Sequence, residues 1–348
     1  MLNWLLSHSP LLYLTQSIWR DEAFSILSAS RPLSFIFQNL GIEPPLYYVL
    51  LHFWMKLFGT SEIAARSLSF LGFGFATVMV IYWAEKIFKR HWLAWYLPLL
   101  FFVNPMLLYY AFEVRTYGWF MFFAVLSFFA YLQKRWRLLI VANVLGFYNH
   151  TYMVFVPLSQ ALYWVIMNRQ KILRFQWRAV FRQQEVRSFF VIFALMIPWA
   201  VRIIRQSVYL THTWYFPVDI HLVKSVLGNM FVGYEGTPWY LWKYTAYLSL
   251  VLFGLFLFSL KPKTTRRRNL FFFLMAVVPL TLVIGVSFVK PLFVNRYLIP
   301  VSIAEVFLVV AAIAAMKRKF FQYLTAAGFL IFSVGFNFWY PALHAKVN

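Results

Sequence analysis

The chain has 348 residues, 62% hydrophobic and 22% aromatic, with 10 Asp plus Glu against 32 Lys plus Arg and no Cys. So apolar a composition exceeds what one soluble core can bury, which excludes an ordinary globular domain and makes the expected class an all-α polytopic membrane bundle. The formal net charge of +22 does not mark a nucleic-acid binder, because the basic residues punctuate apolar stretches and line no soluble face, and the absence of Cys excludes disulfides and thiolate metal sites.

Residues 1–18 are apolar but broken by Asn3, Ser7, His8, Ser9 and Pro10, which predicts at most a shortened first span. They lack the basic start and cleavage site of a signal peptide, so the segment is expected to be retained. Residues 19–65 follow as a long loop. It carries the adjacent acids Asp21 and Glu22, then Glu43-Pro44-Pro45-Leu46-Tyr47-Tyr48, and an apolar run from Leu46 to Phe58 that is too short to span and reads as a helix lying at the interface.

Ten apolar stretches then predict spans at 66–86, 93–110, 117–133, 136–149, 151–168, 188–206, 240–260, 270–289, 297–316 and 320–340, giving about 10–11 with the first segment. Between two of them, residues 207–239 predict a second interfacial helix, N-capped by Asp219, with Ile220, Val223, Val226, Leu227, Met230 and Phe231 on its apolar side. The two interfacial helices are expected to roof a cavity. No internal repeat or hydrophilic tract breaks the chain, so residues 1–348 read as one transmembrane domain.

Charge orients the chain, because Lys and Arg in short loops stay on the cytoplasmic side. Loops 86–91, 134–137, 169–187, 261–268 and 317–319 hold well over half of the 32 basic residues and fall on one side of the ten spans. The opposite loops carry Asp21, Glu22, Glu43, Glu62, Glu113, Asp219 and Glu235, whereas Glu305 alone lies inside a span. An acid in hydrocarbon is expensive unless it has a task. Any chemistry is therefore expected on the outer face of a multi-pass protein of the cell membrane.

The ordered set of an acidic pair in the first loop, Pro-Pro-Leu-Tyr-Tyr at 44–48, Asn104-Pro105 before Glu113-x-Arg115-x-Tyr117, Tyr148-Asn149-His150-Thr151-Tyr152 and Arg296-Tyr297-Leu298-Ile299-Pro300 resembles the GT-C glycosyltransferases of the family 39 type. Protein O-mannosyltransferases and the bacterial aminoarabinose transferases of lipid A are of this type. The resemblance implies an integral enzyme of, most simply, a bacterial cytoplasmic membrane, whose donor is a sugar on a polyprenyl phosphate and whose acceptor is a hydroxyl on a lipid, glycan or protein. It also implies an acidic catalytic residue in the first outer loop, which maps to Asp21.

Elementary chemistry agrees with that mapping. A hydroxyl is a poor nucleophile until a base within hydrogen-bond reach takes its proton as the new bond forms. Glu22 completes the acidic pair, although adjacent residues on a helix do not share a face, so a supporting role weighs slightly above a catalytic one. Glu43 precedes a proline and so sits on extended backbone that can turn it into a cavity. Arg115 and Arg296 are candidates to receive the departing phosphate, since a guanidinium binds oxygen pairs and stays charged.

Glu113, Tyr117, His150, Tyr152 and Tyr297 accompany them as substrate contacts, with Tyr47, Trp19 and Tyr48 as sugar or prenyl contacts. No metal is obligatory, because the seven His lack ligand spacing; Glu43 with His150 is the pair to examine for a divalent ion. The alternative is a transporter or lipid flippase, whose signatures would be paired discontinuous spans and acids at mid-membrane depth.

Overall fold

The computed structural model describes residues 4, 9–207, 218–233 and 241–339, and the regular elements among them are all helices. Three short helices come first: α1 (Arg20–Ala29), α2 (Leu33–Asn39) and α3 (Leu46–Phe58). The bundle follows as α4 (Glu62–Phe88), α5 (Leu93–Val103), α6 (Pro105–Ala111), α7 (Tyr117–Leu132), α8 (Trp136–Asn149) and α9 (Phe155–Met167), the last entered through a 3₁₀ turn at Thr151–Val154. It is completed by α10 (Gln184–Ser207), α11 (Ile220–Val232), α12 (Trp242–Ser259), α13 (Arg266–Ser287), α14 (Ile299–Ala315) and α15 (Lys319–Trp339).

All ten predicted apolar stretches are helical where described, and the predicted helices at 46–58 and after Asp219 are present. The span count is narrower than expected. Length and composition qualify five helices as spans, α4, α10, α13, α14 with its leading turn, and α15, or six when α5 and α6 count as one bent span. The others are short: α7, with 16 residues, extends about 24 Å at 1.5 Å per residue, less than the roughly 30 Å of hydrocarbon. Before Asp21 the described residues hold only a one-turn helix, Leu12–Thr15, and no span.

The predicted single span 93–110 is broken at Asn104-Pro105 with a bend of 55°. Pro105 has no N–H to continue the ladder, and the Asn104 side chain accepts from the Leu107 N–H at 3.2 Å, capping a new helix. The Asn104 amide also donates to the Phe231 carbonyl at 3.2 Å, so the bend is held against α11.

The core gathers around α14, whose membrane window is 89% buried and which packs on α13, α12, α5, α7, α11 and α15. Helices α10 and α15 lie at the edge, with most of their apolar surface outward, as lipid-facing helices must. Two small residues let α4 and α7 cross in near contact. A Cβ on Gly118 would stand 1.8 Å from the Ser69 carbonyl oxygen, and one on Gly72 would stand 2.7 Å from the Gly118 backbone, so only glycine fits either position.

Helix α11 buries Val226, Met230 and Phe231 of its predicted apolar side but departs from the prediction at its first turns and along part of its polar side. Ser225 and Asn229 are buried while Ile220 and Val223 are exposed, because Gly228 brings α11 onto α12 and the Gly228 N–H donates to Ser249 Oγ at 2.7 Å. Close backbone approach adds Ser225 and Asn229 to a buried face that Val226, Met230 and Phe231 already form.

Candidate functional site

The site is built on one buried ion pair. Arg66, near the start of α4, is wholly inside; its Nε donates to Glu22 Oε1 at 3.0 Å and its Nη2 to Glu22 Oε2 at 2.7 Å. Its other N–H groups donate to the carbonyls of Leu14, Gln16 and Ser17. Glu22 accepts two backbone N–H groups as well, from Trp19 at 3.4 Å and Val114 at 3.1 Å. The pair therefore fastens the chain before α1, α1 itself, α4 and the turn between α6 and α7. A buried pair is tolerable only when its remaining donors and acceptors are met in this way.

The residues next to this clamp point elsewhere. Asp21 accepts from Arg296 Nη2 at 3.2 Å through Oδ2, while Oδ1 lies 3.6 Å from the largely exposed Arg20. Arg296 stands in the 3₁₀ turn Asn295–Leu298 that leads into α14, with its guanidinium over the rings of Trp19 and Tyr297. Arg115 donates to Glu43 Oε1 at 3.1 Å and to the hydroxyls of Tyr48 and Ser25. Its own carbonyl accepts from Ser69 Oγ, which is also 2.7 Å from the Tyr47 hydroxyl. Ser69 is the residue that Gly118 touches, so the helix crossing fixes the height of Arg115.

These groups open onto a cavity of about 900 Å³. Its polar end holds Asp21, Glu43, Arg115, His150 and Arg296, with Arg20 and Lys290 beside them. An apolar limb follows one face of α10 at Phe193, Met196, Ile197, Ala200, Ile203 and Ile204, with Phe155 of α9 and Val283 and Val286 of α13 also in the lining.

Of the residues expected from sequence, Asp21, Glu43, Arg115, His150, Tyr152, Arg296 and Tyr297 line this space together, although they come from five separate parts of the chain. Six do not line it, Trp19 and Tyr48 among them: the Trp19 ring packs against the Arg296 guanidinium, and the Tyr48 hydroxyl accepts from Arg115. Glu22 is consumed by Arg66, which removes it from the surface a substrate can reach. Tyr47 is held by Ser69 behind the cavity wall, and Glu113 and Tyr117 are buried in the packing of α6 and α7. Neither α3 nor α11 contributes a lining residue, so the expected roof is not built by them; α10 forms that wall. Sequence reading missed Arg66, Arg20, Lys290 and the α10 limb. A lone arginine opening an apolar span, such as Arg66, is the signal that would have found the clamp.

His150 is the N-cap of the 3₁₀ turn, stacked on Phe120 at 4.4 Å, and its Nδ1 accepts the Tyr152 N–H, which places the ring proton on Nε2. Burial, then the charges of Arg115 and Arg296, push its pKa down to about 3. An unfolded chain takes up that proton near pH 6.5, so the stability tied to neutral His150 is complete above that value and drains away as the pH falls toward 3. At pH 5 the loss is about 2 kcal/mol. We expect His150→Asn to flatten the dependence of the unfolding midpoint on pH between 7 and 5; an unchanged slope would show that the ring is not the titrating group.

Glu43 and His150, the pair singled out for a divalent ion, both line the cavity. Glu43 Oε1 is engaged by Arg115, His150 Nδ1 by a backbone N–H, and no group of three His, Asp or Glu side chains suited to a metal occurs among the described residues.

No family model matches the chain, and no curated protein does. Solved structures do. ArnT from Cupriavidus metallidurans in the apo state superposes with a TM-score of 0.59 at 13% identity, over 93% of this chain and 60% of that one. ArnT from the same organism bound to undecaprenyl phosphate gives 0.57 at 14% identity, over 94% and 61%. The chain shares the fold of these ArnT structures. It spans about three fifths of the length of the ArnT structures it matches. The five or six helices long and apolar enough to cross a membrane, with this shared fold, make it a multi-pass membrane protein.

Proposed function

We propose that the chain is an inverting glycosyltransferase that moves a sugar from a polyprenyl-phosphate donor to a hydroxyl acceptor on the outer face of the membrane. The observation that carries this reading is the single cavity in which Asp21 faces Arg296 at 3.2 Å and which continues into an apolar limb along α10. Four cations, Arg20, Arg115, Lys290 and Arg296, stand there against two carboxylates, Asp21 and Glu43. That surplus suits an anionic phosphate, and the limb suits a prenyl tail.

In the reaction, Asp21 takes the acceptor hydroxyl's proton as its oxygen bonds to the anomeric carbon. The bond from that carbon to the phosphate oxygen breaks on the opposite face, and polyprenyl phosphate departs as an anion that needs no general acid. In-line displacement separates attacking and leaving groups by the sugar ring. Arg296, already hydrogen-bonded to Asp21, therefore orients the base, and Arg115 is the guanidinium better suited to receive the phosphate.

The fold supports a lipid-borne donor at the level of likeness, since one of the similar ArnT structures is bound to undecaprenyl phosphate. The test is turnover of purified protein with a radiolabelled polyprenyl-phosphate sugar and candidate hydroxyl acceptors. Free polyprenyl phosphate and a glycosylated acceptor are the expected products. A donor that crosses vesicles intact and is never cleaved would return the flippase reading.

A further inference from the structure

A second recess of about 380 Å³ lies at the opposite end of the bundle, and the proposed chemistry makes no use of it. It is formed where α7 and α9 end and α10 and α13 begin. Because α7 starts beside Arg115 and α9 starts beside His150, the far ends of these helices are remote from the cavity described above. The lining includes Lys134, Arg267, Glu185, Tyr163, Trp164 and Asn168.

Lys134 and Arg267 form no ion pair and no side-chain hydrogen bond among the described residues, so their donors are open to a ligand. Lys134 sits on left-handed backbone with φ 55°, a conformation uncommon outside glycine, at the turn between α7 and α8. Arg267 is in the first turn of α13, where a helix already favours anions. The floor is firm: Trp164 Nε1 donates to Gln183 Oε1 at 2.8 Å, and Gln183 in turn donates to Asn168 Oδ1 at 3.4 Å.

We infer that this recess binds the headgroup of an anionic phospholipid in the leaflet at the basic end of the bundle, with the phosphodiester between Lys134 and Arg267. The chemistry is that of a phosphate ester bearing hydroxyl groups. The lining side chains, two cations and one carboxylate, leave a positive charge to which Lys171 beside Glu185 adds, and an anionic glycerol-type headgroup offsets it while its hydroxyls donate to Glu185. A zwitterionic headgroup would leave that charge uncompensated. The basic loops that surround the recess draw anionic lipid toward it.

The test is binding of phosphatidylglycerol to the full chain, read by native mass spectrometry and by thermal unfolding in detergent. Phosphatidylcholine and inorganic phosphate serve as separate arms, and Lys134→Gln/Arg267→Gln is the variant. Phosphatidylglycerol should raise the unfolding midpoint of the parent, and the double variant should bind it about 30-fold more weakly, each basic residue near a surface contributing roughly fivefold. If the variant keeps the parent's lipid response, or if phosphatidylcholine is as effective, the site is refuted. An equal response to inorganic phosphate alone would refute the lipid as its ligand. Should the variant unfold, the same comparison is made with Arg267→Lys, which retains charge but not the guanidinium fork and should lose only part of the response; complete loss or no loss would overturn the assignment.

Discussion

Replacing Asp21 with Asn is expected to lower transfer by about 10²–10⁴-fold while the protein stays folded, the range over which a positioned general base contributes. The substitution is mild in structural terms. An amide oxygen can still accept from Arg296 Nη2, and the side chain is partly open to the cavity, so the change falls on proton acceptance and not on packing. The rate of release of free polyprenyl phosphate from labelled donor reports it, with detergent-extracted protein checked by size exclusion and thermal unfolding. Turnover equal to the parent's would remove Asp21 as the base and leave the cavity without another exposed acid except Glu43, which is bound to Arg115.

The second large effect belongs to the ion pair beneath the site. Arg66→Met should cost about 3–5 kcal/mol of stability, because Glu22 would remain as an uncompensated buried charge and three carbonyls would lose their donor. Glu22→Met should be similarly severe by stranding the guanidinium. The double replacement is expected to cost less than the sum of the two singles, since it removes both charges together. Equilibrium unfolding of the four proteins forms a cycle; strict additivity would mean that the pair is not coupled. Activity should fall with stability, because Asp21 is adjacent to Glu22 in sequence and Arg115 to Val114, and both are carried by the segments that the pair joins.

Much of this was legible from residues alone, for identifiable reasons. Scarcity marked the acids: with 10 in 348 residues, most had to face water or do work, and Asp21 and Glu43 both reached the cavity. Helix α3 was delimited correctly because Pro45 precedes it and Gly59, with φ 85°, ends it. Distance relations were not legible. Nothing local says that Arg296 will stand against Asp21, 275 positions earlier, and nothing in the pattern of α11 says that a close approach at Gly228 will bury Ser225 and Asn229. The bend at Asn104-Pro105 leaves no signature in hydropathy, since an apolar run of that length satisfies the span criterion whether straight or kinked. Glu22 was the hardest to assign, because its fate was decided by an arginine 44 residues away.

The wall of the apolar limb comes largely from α10, a helix at the periphery that takes no part in the Arg66 clamp. On the proposed function, recognition of the carrier's isoprenoid length and saturation is thereby separable from bond making. Exchanging Ala200 or Ile197 for bulkier or smaller neighbours should re-tune which carriers are accepted without disturbing the acid or the guanidinium groups, so that one catalytic frame can serve membranes of different lipid make-up.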